Sequence, residues 1–176
     1  STIQNVAITV DEDTISEANE TIILGLNTPS NTTIDAPSAH TYTINDNDGL
    51  PDISFDLAAD DTDEQSGPAL IVVELTNESS TPVTVTYSVT DGTALAAQPD
   101  YTLAGDTITF AAGETSYTLS AGITNDAISE GAETFGLAFT AKSANADYAA
   151  GNQTHTHTIN DDEPVPEFKF DVLLSN

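Results

Sequence analysis

The chain has no cysteine, no tryptophan and no arginine, and its two basic side chains are Lys142 and Lys169. Without cysteine there is no disulfide framework and no thiolate nucleophile, so the redox compartment leaves no mark on the sequence. Without a basic surface there is nothing to neutralise phosphates, which excludes nucleic acid as a partner. An anionic membrane surface is excluded on the same ground. No apolar run approaches the 18 or so residues that a membrane-spanning helix needs, and no signal peptide is visible at Ser1. This reads as a mature or excised segment without direct membrane insertion.

What is abundant is acid. Twenty-nine Asp and Glu side chains give a formal net charge of −27 on 176 residues. Self-repulsion of that size works against a compact state unless something positive is bound. Acidic disorder does not fit, because disordered chains are poor in β-branched and aromatic residues. Here Thr, Val and Ile fill short alternating runs. These are ALIVVELT (69–76), PVTVTYSV (82–89), TITF (107–110), TSYTLSAGI (115–123), ETFGLAFTA (133–141) and THTHTIN (154–160). Val83, Val85, Tyr87 and Val89 share one face while Thr84, Thr86 and Ser88 share the other, the period of a half-buried strand. Turn residues separate the runs and no amphipathic helix is evident. The expected fold is all-β, an immunoglobulin-like seven-stranded antiparallel sandwich.

The chain also repeats itself. TIQNVAITVDEDTISEANETI (2–22) aligns with TSYTLSAGITNDAISEGAETF (115–135) at an offset of 113. TYTIND (41–46) aligns with THTIND (156–161), and PDISFDL (51–57) with PEFKFDV (166–172), both at an offset of 115. Tandem repeats of about 115 residues therefore account for the chain. Residues 1–48 are expected to be the last three strands of one copy, 49–163 a complete copy, and 164–176 the first strand of a third. Neither partial copy can bury both its faces, so both ends are expected to be completed by adjacent repeats of the same chain or by neighbouring copies that add strands.

The repeat carries its acids with it. Asp126, Glu130 and Glu133 crowd one connection, Asp13, Glu17 and Glu20 crowd its counterpart, and Asp161, Asp162 and Glu163 follow the last strand. Solvated acidic loops are the common explanation for such residues, but they do not account for a spacing kept twice. A glycosidase-type pair of carboxylates needs a sugar-lined cleft, usually with tryptophan. No segment has the Asp-x-Asp-x-Asp-Gly register of an EF-hand. His155 and His157 stand at i and i+2 on one strand face and could chelate, but packing or partial exposure is the expectation for them. Calcium survives: it takes six to eight hard oxygen ligands in irregular geometry, and loop carboxylates from separate strands supply them.

The order DEQSG, DGTALAAQPDYTLAGDTITFAAGET, NDAISEGAET, TINDDE resembles a Calx-β repeat, a family that includes the regulatory domains of sodium–calcium exchangers and many bacterial surface proteins. The resemblance spans 51–163 as a full repeat and the two ends as parts. It implies a seven-stranded sandwich with calcium in the loops at one end. It makes Glu64, Asp100, Asp126, Glu130, Glu133, Asp161 and Asp162 ligands, with Glu163 where a third terminal acid is common. In the partial copy the implied ligands are Glu12, Asp13, Glu17, Glu20, Asp46 and Asp48. Asn125 departs from the pattern, standing where an acid is usual, and Asn47 is neutral as well.

Each terminal acid run is followed at once by the first strand of the next copy, so calcium there would fix the angle between neighbours. The expected role is a calcium-rigidified spacer in an extracellular or cell-surface fibre or adhesin. A calcium sensor and a filament subunit completed by its neighbours are the alternatives. An enzyme is not expected, since neither a catalytic triad order nor a phosphate-cradling glycine loop is present.

Overall fold

A computed structural model describes residues 3–27 and 29–170. Most strands form where the sequence alternates. β1 (Glu20–Gly25) and β2 (Ala39–Ile44) make a two-stranded antiparallel sheet. The remaining strands are β3 (Asp52–Phe55), β4 (Ala59–Asp63), β5 (Ala69–Leu75), β6 (Val83–Asp91), β7 (Tyr101–Thr102), β8 (Thr107–Phe110), β9 (Ser116–Ile123), β10 (Glu133–Lys142), β11 (Asp147–Tyr148) and β12 (Thr154–Asn160). They build two five-stranded sheets, in the orders β4-β12-β10-β6-β8 and β11-β3-β5-β9-β7. A single 3-10 turn, Glu64–Ser66, follows β4.

The core lies between these two sheets and consists of the inward residue of every second position. β5 buries Ala69, Ile71, Val73 and Leu75, and β6 buries Val83, Val85 and Tyr87. Two stacked aromatic pairs, Phe55 on Phe139 (centroids 4.3 Å apart) and Tyr101 on Phe135 (4.2 Å), tie the sheets together. Each fully buried aromatic or branched side chain contributes roughly 1.5–3 kcal/mol over its exposed state. Among its described residues the partial copy has no such core: Ile3, Val6, Ile23 and Leu26 remain largely exposed.

The sandwich differs from expectation in three respects. It has ten strands rather than seven, because the chain after β3 crosses to the other sheet as β4 and two-residue strands add to the edges. It is also not purely antiparallel, since β4 runs parallel to β12 and β11 parallel to β3. Residues 3–19 form no strand beyond an isolated bridge at Ser16, and 164–170 form none. The expectations for Ser1 and Thr2, and for 171–176, lie outside the described residues. No helix among the described residues is long and apolar enough to cross a membrane.

Candidate metal centre

Two acidic clusters are built the same way. After β9, the Asp126 carboxylate accepts the amide of Ile128 at 2.7 Å, an Asx turn that reverses the chain. The counterpart Asp13 accepts the amide of Ile15 at 2.9 Å. The loop is then lashed to the acid run that ends the repeat. Glu130 N–H donates to Asp161 Oδ2 at 3.2 Å, and Glu17 N–H donates to Asp46 Oδ2 at 3.2 Å. The same bonds thus recur at the offsets of the sequence repeat.

In the complete copy the other members arrive from four further places. Glu64 opens the 3-10 turn at the end of β4, and Glu133 is the first residue of β10. Asp100 directly precedes β7, and its Oδ2 accepts the amide of Leu95 at 2.7 Å. That loop is anchored by Tyr101, buried against Phe135, whose hydroxyl donates to Asp91 Oδ1 at 2.5 Å. Gly92, beside Asp91, lies so close to the Thr134 carbonyl that a Cβ would clash with it. Asp161, Asp162 and Glu163 leave the end of β12.

One carboxylate oxygen each from Glu64, Asp161 and Glu163 lies within 4.8 Å of the other two. Asp161 Oδ1 and Glu163 Oε2 are buried and have no hydrogen-bond partner. A buried anionic oxygen without a donor is costly, and a cation, or a proton shared between Asp161 and Glu163, would relieve it. Partial desolvation raises the carboxyl pKa values of Glu64, Glu133 and Glu163 above the usual range. For Glu64 the charges of Asp161, Asp126 and Glu130 add to this; for Glu133 those of Asp100, Glu130 and Glu64; for Glu163 those of Asp162, Asp161 and Glu64. Glu64, Asp100, Asp126, Glu130, Glu133, Asp161 and Glu163 thus feel one another's charge across separate elements, while Asp162 enters through its chain neighbour Glu163.

The partial copy brings its six together as well. A cavity of about 270 Å³ is lined by Glu12, Asp13, Glu17, Glu20, Asp46 and Asp48. Desolvation followed by the charge of Asp13 and then of Glu20 raises Glu17, while desolvation followed by Asp46 raises Asp48. Asp11 also lines this cavity, and sequence reasoning passed it over. Its adjacency to Glu12 and Asp13 was the available signal. The donors in both clusters are oxygen throughout, which suits a hard divalent cation with irregular coordination.

The partial copy's loop also touches the complete copy. Between Asp13 and Glu17, Ser16 is buried against Ser79 as a parallel bridge. Ser16 N–H donates to the Glu78 carbonyl at 3.0 Å, and the Ser16 carbonyl accepts the Ser80 amide at 3.0 Å. Beside it, the Asn77 side chain donates to the Gly49 carbonyl at 3.1 Å. Among the described residues the counterparts Ile128 and Ser129 at the far end have no such neighbour, and Ile128 is exposed.

His155 and His157 are both buried, as packing requires, and are not partly exposed. Their rings lie against Phe55 and Phe135 respectively, and Asp60 of β4 stands opposite His157.

The family model of the Calx-beta domain matches residues 1–48 and 50–163. No curated protein matches the chain. Among solved structures, the apo-form Calx CBD1 domain matches with a TM-score of 0.59 at 23% identity, over 65% of this chain and 99% of that one. The calcium binding domain CBD12 of CALX1.1 gives 0.58 at 23% identity, over 63% of this chain and 46% of that one. The Calx CBD2 domain gives 0.57 at 14% identity, over 62% and 86%. Identities this low establish the common fold.

Proposed function

The chain belongs to the Calx-beta domain family, and from that premise we propose that it is a calcium-binding structural repeat that stiffens the joint between neighbouring copies. The reading is carried by the unpartnered buried oxygens Asp161 Oδ1 and Glu163 Oε2, set beside Glu64 in an all-oxygen cluster. Calcium is the hard cation whose high and flexible coordination number suits so many loop carboxylates. Its ligands are Glu64, Asp100, Asp126, Glu130, Glu133, Asp161, Asp162 and Glu163 in one copy. In the other they are Glu12, Asp13, Glu17, Glu20, Asp46 and Asp48.

The link to mechanics is the placement of Ser16. It lies between two proposed ligands, Asp13 and Glu17, and bonds to Glu78 and Ser80 of the next copy. An ion that orders the loop therefore orders the contact. Between the last ligand, Asp48, and β3 only Gly49, Leu50 and Pro51 intervene, which leaves little room for independent motion. Binding in the range of about 10⁻⁴–10⁻³ M, common for extracellular modules, fits a cell-surface setting and a strongly acidic chain.

The test is thermal melting and small-angle scattering of the 176-residue protein in calcium, magnesium and chelator. Calcium raises the midpoint and narrows the distribution of shapes, and magnesium does neither. Identical curves in calcium and chelator would remove the proposal. A second reading, a filament subunit completed by its neighbours, is favoured by the exposed apolar side chains Ile23, Leu26 and Val6 around β1 and β2. It requires this chain to polymerise in solution, which light scattering decides.

A further inference from the structure

Away from the acidic loops, the sheet edge holds a cluster of different chemistry. β12 turns His155 and His157 inward, where their side chains are 1% exposed, and β4 turns Asp60 toward them at 24%. We propose that Asp60, His155 and His157 form a binding site for a divalent transition-metal ion of the zinc class, separate from the calcium ligands.

Hydrogen-bond bookkeeping points to a cation. His155 Nδ1 lies 2.8 Å from the Leu57 carbonyl, which can only accept, so this nitrogen carries the proton. In the neutral ring Nε2 then holds a lone pair. That atom lies 2.9 Å from Asp60 Oδ1, yet without the alignment of a hydrogen bond, and it has no other partner. A lone pair and a carboxylate oxygen are thus directed at the same space. His157 Nδ1 is hydrogen-bonded to the same Asp60 oxygen, and a metal there would take the place of the bridging proton; its Nε2, on the other side of the ring, is buried without a partner. One ligand atom each from Asp60, His155 and His157 lies within 4.8 Å of the others.

Either a proton on His155 Nε2 or a metal ion resolves this conflict, and a metal ion engages all three side chains at once. Two imidazoles and a carboxylate are a donor set that Zn²⁺ and its neighbours bind, at about 2.0–2.2 Å from nitrogen or oxygen. Ligands at such distances around one tetrahedral ion stand roughly 3.4 Å apart, so Asp60 must withdraw by about half an ångström from His155 and by about twice that from His157. The Leu57 carbonyl supplies the outer hydrogen bond that fixes the ligating ring nitrogen. A cavity of about 50 Å³ bordered by Asp56, Leu57, Asp60, Leu70, Val72 and His155 leaves room for one water as a fourth ligand. The partial copy has Tyr42 where the complete copy has His157, so it lacks the pair.

The test titrates the 176-residue protein with Zn²⁺ alone, in millimolar calcium that keeps the acidic loops filled. We expect one zinc per chain, visible absorption when Co²⁺ replaces it, and movement of the His155 and His157 ring-nitrogen NMR signals. Asp60→Asn and His157→Tyr, checked for folding by circular dichroism, should weaken binding at least about tenfold. The NMR readout on the unsubstituted chain stands even where a variant fails to fold. No saturable zinc uptake in calcium, ring signals that stay fixed, or full affinity in both folded variants would overturn the site.

Discussion

Asn47 Nδ2 donates to Glu12 Oε1 at 2.6 Å, and the positions that match this pair in the complete copy hold the same two groups exchanged. Glu12 corresponds to Asn125 and Asn47 to Asp162. The departure at Asn125 therefore does not lower the charge of one cluster relative to the other. Each copy keeps one acid and one amide at this pair, on opposite sides of the loop contact.

Restoring the acid breaks that balance. Asn125→Asp adds one more negative charge to a cluster already crowded with carboxylates. In chelator the melting midpoint should fall, and the rise caused by calcium should grow. Paired thermal melts of the variant and the parent check both signs.

Neutralising a desolvated acid does the reverse. Glu64→Gln removes a carboxylate whose proton affinity is already raised by burial and by Asp161. Without calcium the variant should melt higher than the parent; with calcium it should gain less. A single site at ten times its dissociation constant adds about 1.4 kcal/mol, and losing it lowers the midpoint by roughly 6–11 °C for a domain of up to about 100 residues.

Acidity gives an independent handle. Glu64, Glu133 and Glu163 hold protons more tightly in the fold than the usual carboxyl value of 4.5. The folded state thus binds more protons than the unfolded one, and stability falls as pH rises from that value through the raised ones. In chelator the midpoint should be higher near pH 5 than at pH 7. Calcium competes with those protons, so in saturating calcium the slope should turn over. A differential scan across that window in both buffers reads the sign directly.

The joint can be opened without touching a ligand. Ser80→Pro deletes the amide that reaches the Ser16 carbonyl. The two copies should then vary more in relative angle, seen as a broader scattering-derived distance distribution in calcium. The melt of the complete copy's core should shift by no more than about 1 kcal/mol, the net worth of one hydrogen bond.

The acid clusters were legible because a repeat turns spacing into information: Asp13 and Asp126, or Asp46 and Asp161, identify each other. The core strands were legible wherever one face is apolar, as in Val83, Val85 and Tyr87. β4 was not, because Ala59–Asp63 reads AADDTD across its start and shows no apolar alternation. It is a strand because β12 offers it an edge, a tertiary cause. The same blind spot hid Asp60 from His155 and His157, which lie almost a hundred residues away. Ser16 was invisible for another reason: what docks is its backbone, and a peptide group leaves no trace in residue type.

The three residues from Gly49 to Pro51 act as an axle stub. At roughly 3.3–3.6 Å per extended residue they span only about 10 Å, against about 33 Å for the ten residues of β10. A shift of one ångström around Asp48 would swing the distal tip of the following copy by several. Tilt would then be inherited from copy to copy, so a few carboxylates could set the curvature of an entire rod.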